Sequence, residues 1–231
     1  MLKVDDLFNL EHTDHEEIFD GVEYAWEVLP LIEEYLEYAI QKAEIHTDVS
    51  KAAYIGDKVV IGEGTIVHPG AYIEGPTIIG KNCTIRPGAF IRGNAIIGDN
   101  CMIGNSTEVK NALLFNNVEI PHFNYIGDSI LGYKVHLGSS VVLSNLKAGS
   151  SEVSVNTLDG RIKTGLQKFG ALIGDNADIG ANAVLNPGTI IGKRATIYPL
   201  ALIRGMVQPD SIVKVRQQQE VVTKKEMEDF E

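Results

Sequence analysis

The chain has 231 residues, 44% of them hydrophobic, and sets 20 Lys and Arg against 31 Asp and Glu for a formal net charge of −11. Its apolar content excludes an intrinsically disordered chain, and the acidic balance speaks against a nucleic-acid partner or an anionic membrane surface, both of which favour a basic face. No apolar run is long enough to span a bilayer, the N-terminus is too acidic for a signal or transit peptide, and the expected location is the cytoplasm.

Residues 1–46 are expected to form an N-terminal helical segment. Within it Pro30 to Ala43 reads as a helix with proline in the first turn. Ile32, Leu36, Ala39 or Ile40, and Ala43 would make its apolar stripe, with Glu33, Glu34 and Glu37 outside. Its expected role is to cover an end or a face of the domain C-terminal to it.

From 47 to 205 the chain repeats with a period of six. Ile55, Ile61, Val67, Ile73, Ile79, Ile85, Ile91, Ile97, Ile103 and Val109 hold one phase, and a small residue stands four places after most of them. The phase returns at Leu131, Leu137 and Leu143, and again at Ile173, Ile179, Leu185, Ile191, Ile197 and Ile203. An α-helix repeats near 3.6 residues and cannot use this period. A six-residue unit suits a short strand plus a corner, three units making a triangular coil, with coils stacked about 4.8 Å apart. The fold class is therefore mainly β, a single-stranded parallel β-helix; its hand does not follow from the spacing. Cys83 and Cys101 lack CxxC spacing, fall in the small-residue phase and read as reduced core residues.

Period arithmetic puts Glu74, Arg92 and Lys110 on one corner column, with Arg86 on the neighbouring one. Stacked cations repel unless an anion bridges them or Glu74 compensates, so a phosphate-binding corner and a solvated charge ladder both stay open. The register slips near Phe115–Ile120, just before Pro121-His122-Phe123-Asn124-Tyr125, with Asn145 one coil further on; such a slip often marks a site. Residues 146–170 interrupt the coils, and Asp159-Gly160 suggests a hairpin; a functional loop and a tolerated insertion are both open. Beyond 205 a tail, residues 206–231, is expected to carry a helix from Val215. His46, His68, His122 and His136 lack close metal-ligand spacing, so no catalytic metal is expected.

The segments EVKNA, PHFNYIGDSI and HLGSSVVLSNL resemble the C-terminal acetyltransferase domain of the bifunctional GlmU-type sugar-1-phosphate nucleotidylyltransferase/amino-sugar acetyltransferases, and DGRIKTGLQKFGALIGDNADIGANAVLNPGTIIG is similar to their archaeal branch. The resemblance covers roughly Ile79 to Gly192. It implies a left-handed β-helix and an acetyl-CoA-dependent N-acetyltransferase acting on an amino-sugar phosphate such as glucosamine-1-phosphate. It implies His122 as general base, Arg86 and Lys110 as phosphate ligands, and Tyr125, Asn145 and His136 as residues lining the amino-sugar site. It further implies coenzyme A contacts near Lys168 and Ala181, and a homotrimer with sites between subunits. The family usually has Asn where this chain has His136, Gly-Ala-Gly at Gly138-Ser139-Ser140, and in bacteria Ser at Ala181 and Lys at Gly170. No glycine-rich nucleotide loop precedes the repeat, so a nucleotidylyltransferase half is not expected. An acyltransferase using a carrier-protein thioester on another nucleotide-linked sugar, and a non-catalytic sugar-nucleotide binding or assembly module, remain alternatives.

Overall fold

A computed structural model describes residues 2–41, 49–157, 160–216 and 218–223. The six-residue units fold into a left-handed parallel β-helix of triangular section. Face one begins with Tyr54–Ile55, Tyr72–Glu74 and Phe90–Arg92, face two with Val59–Ile61 and Thr77–Ile79, and face three with Ile66–Val67 and Thr84–Ile85. Among the described residues each face has eight rungs, paired in parallel with the coil above. The expected aliphatic phase fills the interior: Ile61, Ile73, Ile79, Ile85, Ile91, Ile97 and Ile103 are all buried. So are the small residues that let the chain turn inside a narrow corner, including Ala71, Ala89 and Ala95. Cys83 and Cys101 stack in that phase as free, buried thiols, and the Cys101 N–H points at Cys83 Sγ from 3.3 Å.

Face two is apolar on its outer side as well. Val60, Ile78, Ile96, Leu113, Ile130, Leu172 and Ile190 point out of the prism into a second core. The N-terminal segment supplies the other half of that core with Leu7, Phe8, Phe19, Trp26, Ile32 and Leu36. Each such side chain gives roughly 1.5–3 kcal/mol when fully buried, which holds the segment along one face and not over an end. Asp175 pins the junction: its carboxylate accepts the Asn9 N–H at 2.8 Å and the Tyr133 N–H at 2.9 Å, and Lys193 lies 3.9 Å away.

Several elements differ from the sequence expectation. The α-helix is Ile32–Ile40, and Pro30 precedes it inside a 3-10 turn, Ala25–Leu31, where the missing N–H is tolerated. Ile32 and Leu36 are buried with Ala39 and Ile40 packed beside them, as the stripe requires, while Ala43 and His46 lie outside the described residues. The prism runs past 205, to Met206–Val207 and Ile212–Val213. The expected tail helix is not present at 218–223, where Val221 and Val222 are exposed; short helices need packing against other parts of the chain. Residues 224–231 lie outside the described residues. The excursion does form an antiparallel hairpin, Ser154–Thr157 with Gly160–Lys163, although Asp159 itself is not among the described residues. No helix among the described residues is long and apolar enough to cross a membrane.

The slip in register occurs earlier than the sequence indicated. Ile73 pairs with Ile91, eighteen residues on, but Val109 pairs with Ile126 and Leu114 with Leu131, seventeen on. The lost residue belongs to the corner between faces one and two, at Lys110-Asn111, so Ala112 and Leu114 point inward and Leu113 outward. As a result the strands Glu108–Leu114 and Tyr125–Leu131 run continuously round that corner and join faces one and two into one sheet.

The N-terminal cover also buries a titratable group. His15 Nδ1 lies 2.9 Å from Tyr35 Oη, and burial pushes the imidazole below its ordinary value, against the opposing pull of Asp14, Asp99 and Glu17. A histidine with a depressed folded-state value binds fewer protons folded than unfolded. Its stability is complete above the unfolded value, near 6.5, and is lost as pH falls through the folded one. Urea midpoints of the wild type and His15→Asn between pH 7.5 and 5.5 test this: the wild type should lose its advantage over the variant as pH falls, and a constant difference would contradict it.

Candidate active site

Two edges bound face one, and the predicted residues lie along both. On the edge where face three turns into face one, successive coils carry Arg86-Pro87, Gly104-Asn105, Pro121-His122, Gly138-Ser139 and Gly180-Ala181. His122 stands beside Asn105 in register and is half-buried. Its carbonyl accepts from Asn124 Nδ2 at 2.9 Å and from the Ser140 N–H at 3.2 Å, and buried Asn124 in turn accepts the Val141 N–H at 2.7 Å. The backbone is therefore fixed on both sides. The imidazole meets the Phe123 ring edge-on at 5.4 Å and has no side-chain hydrogen bond among the described residues. Arg86 is exposed on the same edge, two coils below, or about 10 Å at the usual strand spacing.

The opposite edge is the shortened corner. Asn111 and Asp128 both sit at positive φ, +45° and +47°, conformations that Asn and Asp tolerate better than other side-chain-bearing residues. This turns the Asp128 carboxylate, 5% exposed, into the middle of a network. Asn111 Nδ2 donates to Oδ1 at 2.9 Å, Asn145 Nδ2 donates to Oδ2, and Lys110 Nζ lies 3.4 Å from Oδ2. Asn145 Nδ2 also reaches Tyr125 Oη at 3.2 Å. Tyr125 points outward from the middle of face one, and its ring runs along the strand over Gly127, so its hydroxyl meets the shortened corner. Gly127 makes this path feasible: a Cβ there would sit 2.6 Å from Tyr125 Oη and 2.7 Å from Asn145 Nδ2. Burial and the nearby Glu108 carboxylate push the Tyr125 phenol up, so it stays protonated. Because Asn145 donates to its oxygen, the phenolic proton is left for a ligand.

The structure thus brings Lys110, Tyr125 and Asn145 into one network and places Arg86 and His122 on the facing edge. The stacked cations are matched mainly from the coil above, with Glu74 a lesser electrostatic partner of Arg92. Arg92 is paired with Glu108 at 2.7 Å and Lys110 with Asp128, each anion coming from the coil above. His136 lies apart on face three, exposed and 2.8 Å from Asp178. Lys168 is exposed in the excursion, bridged through its backbone to Leu146, whereas Ala181 is on the His122 edge. The two residues expected at coenzyme A therefore flank face one from opposite sides. A lysine at 170 would not fit, since a Cβ on Gly170 would collide with the Gly127 carbonyl oxygen and Ser129 Oγ. Asp128, Asn111 and Gly127 were not singled out from sequence; the signal available was the Gly-Asp pair following Tyr125.

The fold and this edge-to-edge arrangement define a hexapeptide-repeat β-helix protein. The family model for the GMPPB C-terminal domain matches residues 73–162, and that for the hexapeptide repeat of succinyl-transferase matches residues 170–198. The chain resembles GlmU-type bifunctional proteins. It is 38% identical to the bifunctional protein GlmU of Methanococcus aeolicus over 80% of this chain and 44% of the relative. To the protein of that name from Methanococcus maripaludis strain C7 it is 42% identical over 90% of this chain and 49% of the relative. The chain spans about half the length of these relatives. Among solved structures, the UDP-N-acetylglucosamine acyltransferase of Francisella novicida covers 73% of this chain and 65% of its own, at 20% identity and a TM-score of 0.32.

Truncating Asp128 would leave two side-chain amides and a half-buried ammonium without their acceptor. Asp128→Ala should lower unfolding free energy by about 1–3 kcal/mol in urea melts, the cost of removing the acceptor that these part-buried groups share. A change within about 0.5 kcal/mol, as for ordinary surface positions, would contradict the network.

Proposed function

We propose that the chain is an acyltransferase that moves an acetyl group from acetyl-CoA to the amine of an amino-sugar phosphate such as glucosamine-1-phosphate. The observation that carries this reading is an imidazole with a fixed backbone and free nitrogens, facing a Lys110–Asp128–Asn145–Tyr125 network across one face of the prism. Relatives named as bifunctional sugar-1-phosphate nucleotidylyltransferase/acetyltransferase, such as that of Sulfurisphaera tokodaii, 38% identical over 49% of this chain, support the substrate class.

In this reading the sugar lies across face one. The Arg86 guanidinium and the Lys110 ammonium hold the phosphate, and the Tyr125 hydroxyl and Asn145 amide orient the ring. The His122 imidazole takes a proton from the sugar ammonium through a ring nitrogen that has no protein partner among the described residues. The freed amine attacks the thioester carbonyl and forms the C–N bond. Collapse of the tetrahedral adduct breaks the C–S bond, and the second proton lost from nitrogen goes to the departing thiolate. The donor would run along the His122 edge past Ser139 and Ala181. Face one also carries an outward aromatic ladder, with Tyr54 and Tyr72 stacked at 4.2 Å and Phe90 edge-on to Tyr72 at 5.6 Å. Exposed apolar surface of this kind favours a second copy closing the site, within a homotrimer.

The test is mass spectrometry of glucosamine-1-phosphate and other amino-sugar phosphates incubated with acetyl-CoA and the protein. The expected product is heavier by one acetyl group. His122→Ala should slow its formation by about 10²–10⁴-fold, the usual worth of a positioned general base. Arg86→Ala should act mainly on KM. Absence of product with every acceptor, or full activity of His122→Ala, would remove the proposal.

A further inference from the structure

A cleft with no part in the proposed acetyl transfer lies above the shortened corner, between the prism and the hairpin of the excursion. Its volume is about 530 Å³, within the range of small-molecule sites. The inner wall is the edge between faces one and two in its upper coils, where Ser144, Asn186 and Arg204 succeed one another on one column. The outer wall is the hairpin, with Asn156 and Arg161. The hairpin is seated firmly: a Cβ on Gly188 would lie 3.1 Å from the Ser154 carbonyl oxygen, and one on Gly205 would lie 3.8 Å from Asn156. Val153 and Val155, on the strand that carries Asn156, are anchored in the second core.

The electrostatics of this cleft run against those of the whole chain. In a protein of net charge −11, no Asp or Glu is among the described residues lining it. Arg161 and Arg204 enter it from opposite walls, both exposed, and among the described residues neither has an ion-pair or hydrogen-bond partner for its guanidinium. The arginines Arg92 and Arg194, by contrast, are each matched by a carboxylate within 2.7 Å. Lys147 adds positive charge at the rim while donating to the Glu152 carbonyl at 2.8 Å, and the nearby Glu152 carboxylate is occupied by the Gly165 N–H at 2.9 Å. Asn186 spends its amide N–H on the Ile203 carbonyl at 2.9 Å, which fixes the side chain and leaves its oxygen available to accept. Two unpaired guanidinium forks lining one cleft match a doubly phosphorylated group, whose oxygens take parallel N–H donors. The Asn and Ser side chains around them, with Leu146 and Pro187 as apolar surface, suit a sugar and a base.

We propose that this cleft binds a nucleoside diphosphate, its pyrophosphate held between Arg161 and Arg204. The ligand is a free or sugar-linked nucleotide. The inference does not rest on the acetyl-transfer reading, since binding here requires neither His122 nor an acceptor.

Isothermal titration of the whole chain with ADP, UDP, coenzyme A and inorganic pyrophosphate, and with adenosine and uridine as uncharged counterparts, tests it. Saturable binding is expected for the diphosphates and not for the nucleosides. Arg161→Ala and Arg204→Ala should each weaken it about tenfold or more, and Arg194→Ala, outside both the cleft and face one, should not change it. ADP or UDP should bind more tightly than coenzyme A, and the reverse order would contradict a nucleotide site. Both arginines are exposed, so the variants should keep the wild-type melting temperature. No saturable binding of any diphosphate to the wild type, or binding unchanged in the Arg161→Ala/Arg204→Ala double variant, would overturn the proposal.

Discussion

The arrangement depends on one buried carboxylate at a corner that is one residue short. A regular coil gives the edge between faces one and two three residues, as at Arg92-Gly93-Asn94; the coils that carry Lys110 and Asp128 give it two. A left-handed step at Asn111 and again at Asp128 closes each two-residue turn, as Asn94 closes the regular one. A carboxylate so deeply buried is costly unless its oxygens are occupied, and Asn111, Asn145 and Lys110 occupy them. Their positions are thus tied to Asp128, and Tyr125 joins the set through Asn145.

The rest of the prism serves to present that face. Face two is taken up by the N-terminal segment, whose aromatic residues convert an outward aliphatic column into a second core. The excursion between Asn145 and Gly170 leaves at the same edge and is anchored in the same core through Val153, Val155 and Phe169. Faces one and three remain open. His122 lies on the edge they share, where a ligand on face one has access to it.

Much of this fold was legible in the sequence because a six-residue phase leaves little freedom: the Ile85, Ile91, Ile97 series had to face inward. The slip was misplaced because Ala112, Leu113 and Leu114 are all apolar and any of them satisfies the interior. Only the pairing of Leu114 with Ile97 and Leu131 shows that Leu113 points outward. The adjacent apolar pairs on face two, such as Ile78-Ile79 and Ile96-Ile97, signal burial on both sides, but not what covers the outer one. Lys110, Tyr125 and Asn145 were singled out through the resemblance, and the structure joins them in one network. Asp128 was not, because its role depends on a seventeen-residue coil that aligns it with Asn111 and Asn145. The opposite placement of Lys168 and Ala181 likewise follows from where the excursion leaves the prism, which local sequence does not encode.

The central claim is that an amino-sugar phosphate lies on face one within reach of both edges. Nuclear magnetic resonance of the histidine ring protons, assigned through His122→Ala, during titration with glucosamine-1-phosphate tests it most directly. The His122 signal should move saturably and reach its plateau together with the Tyr125 ring signals. Saturable binding of the sugar phosphate that leaves both sets of signals in place would contradict the account.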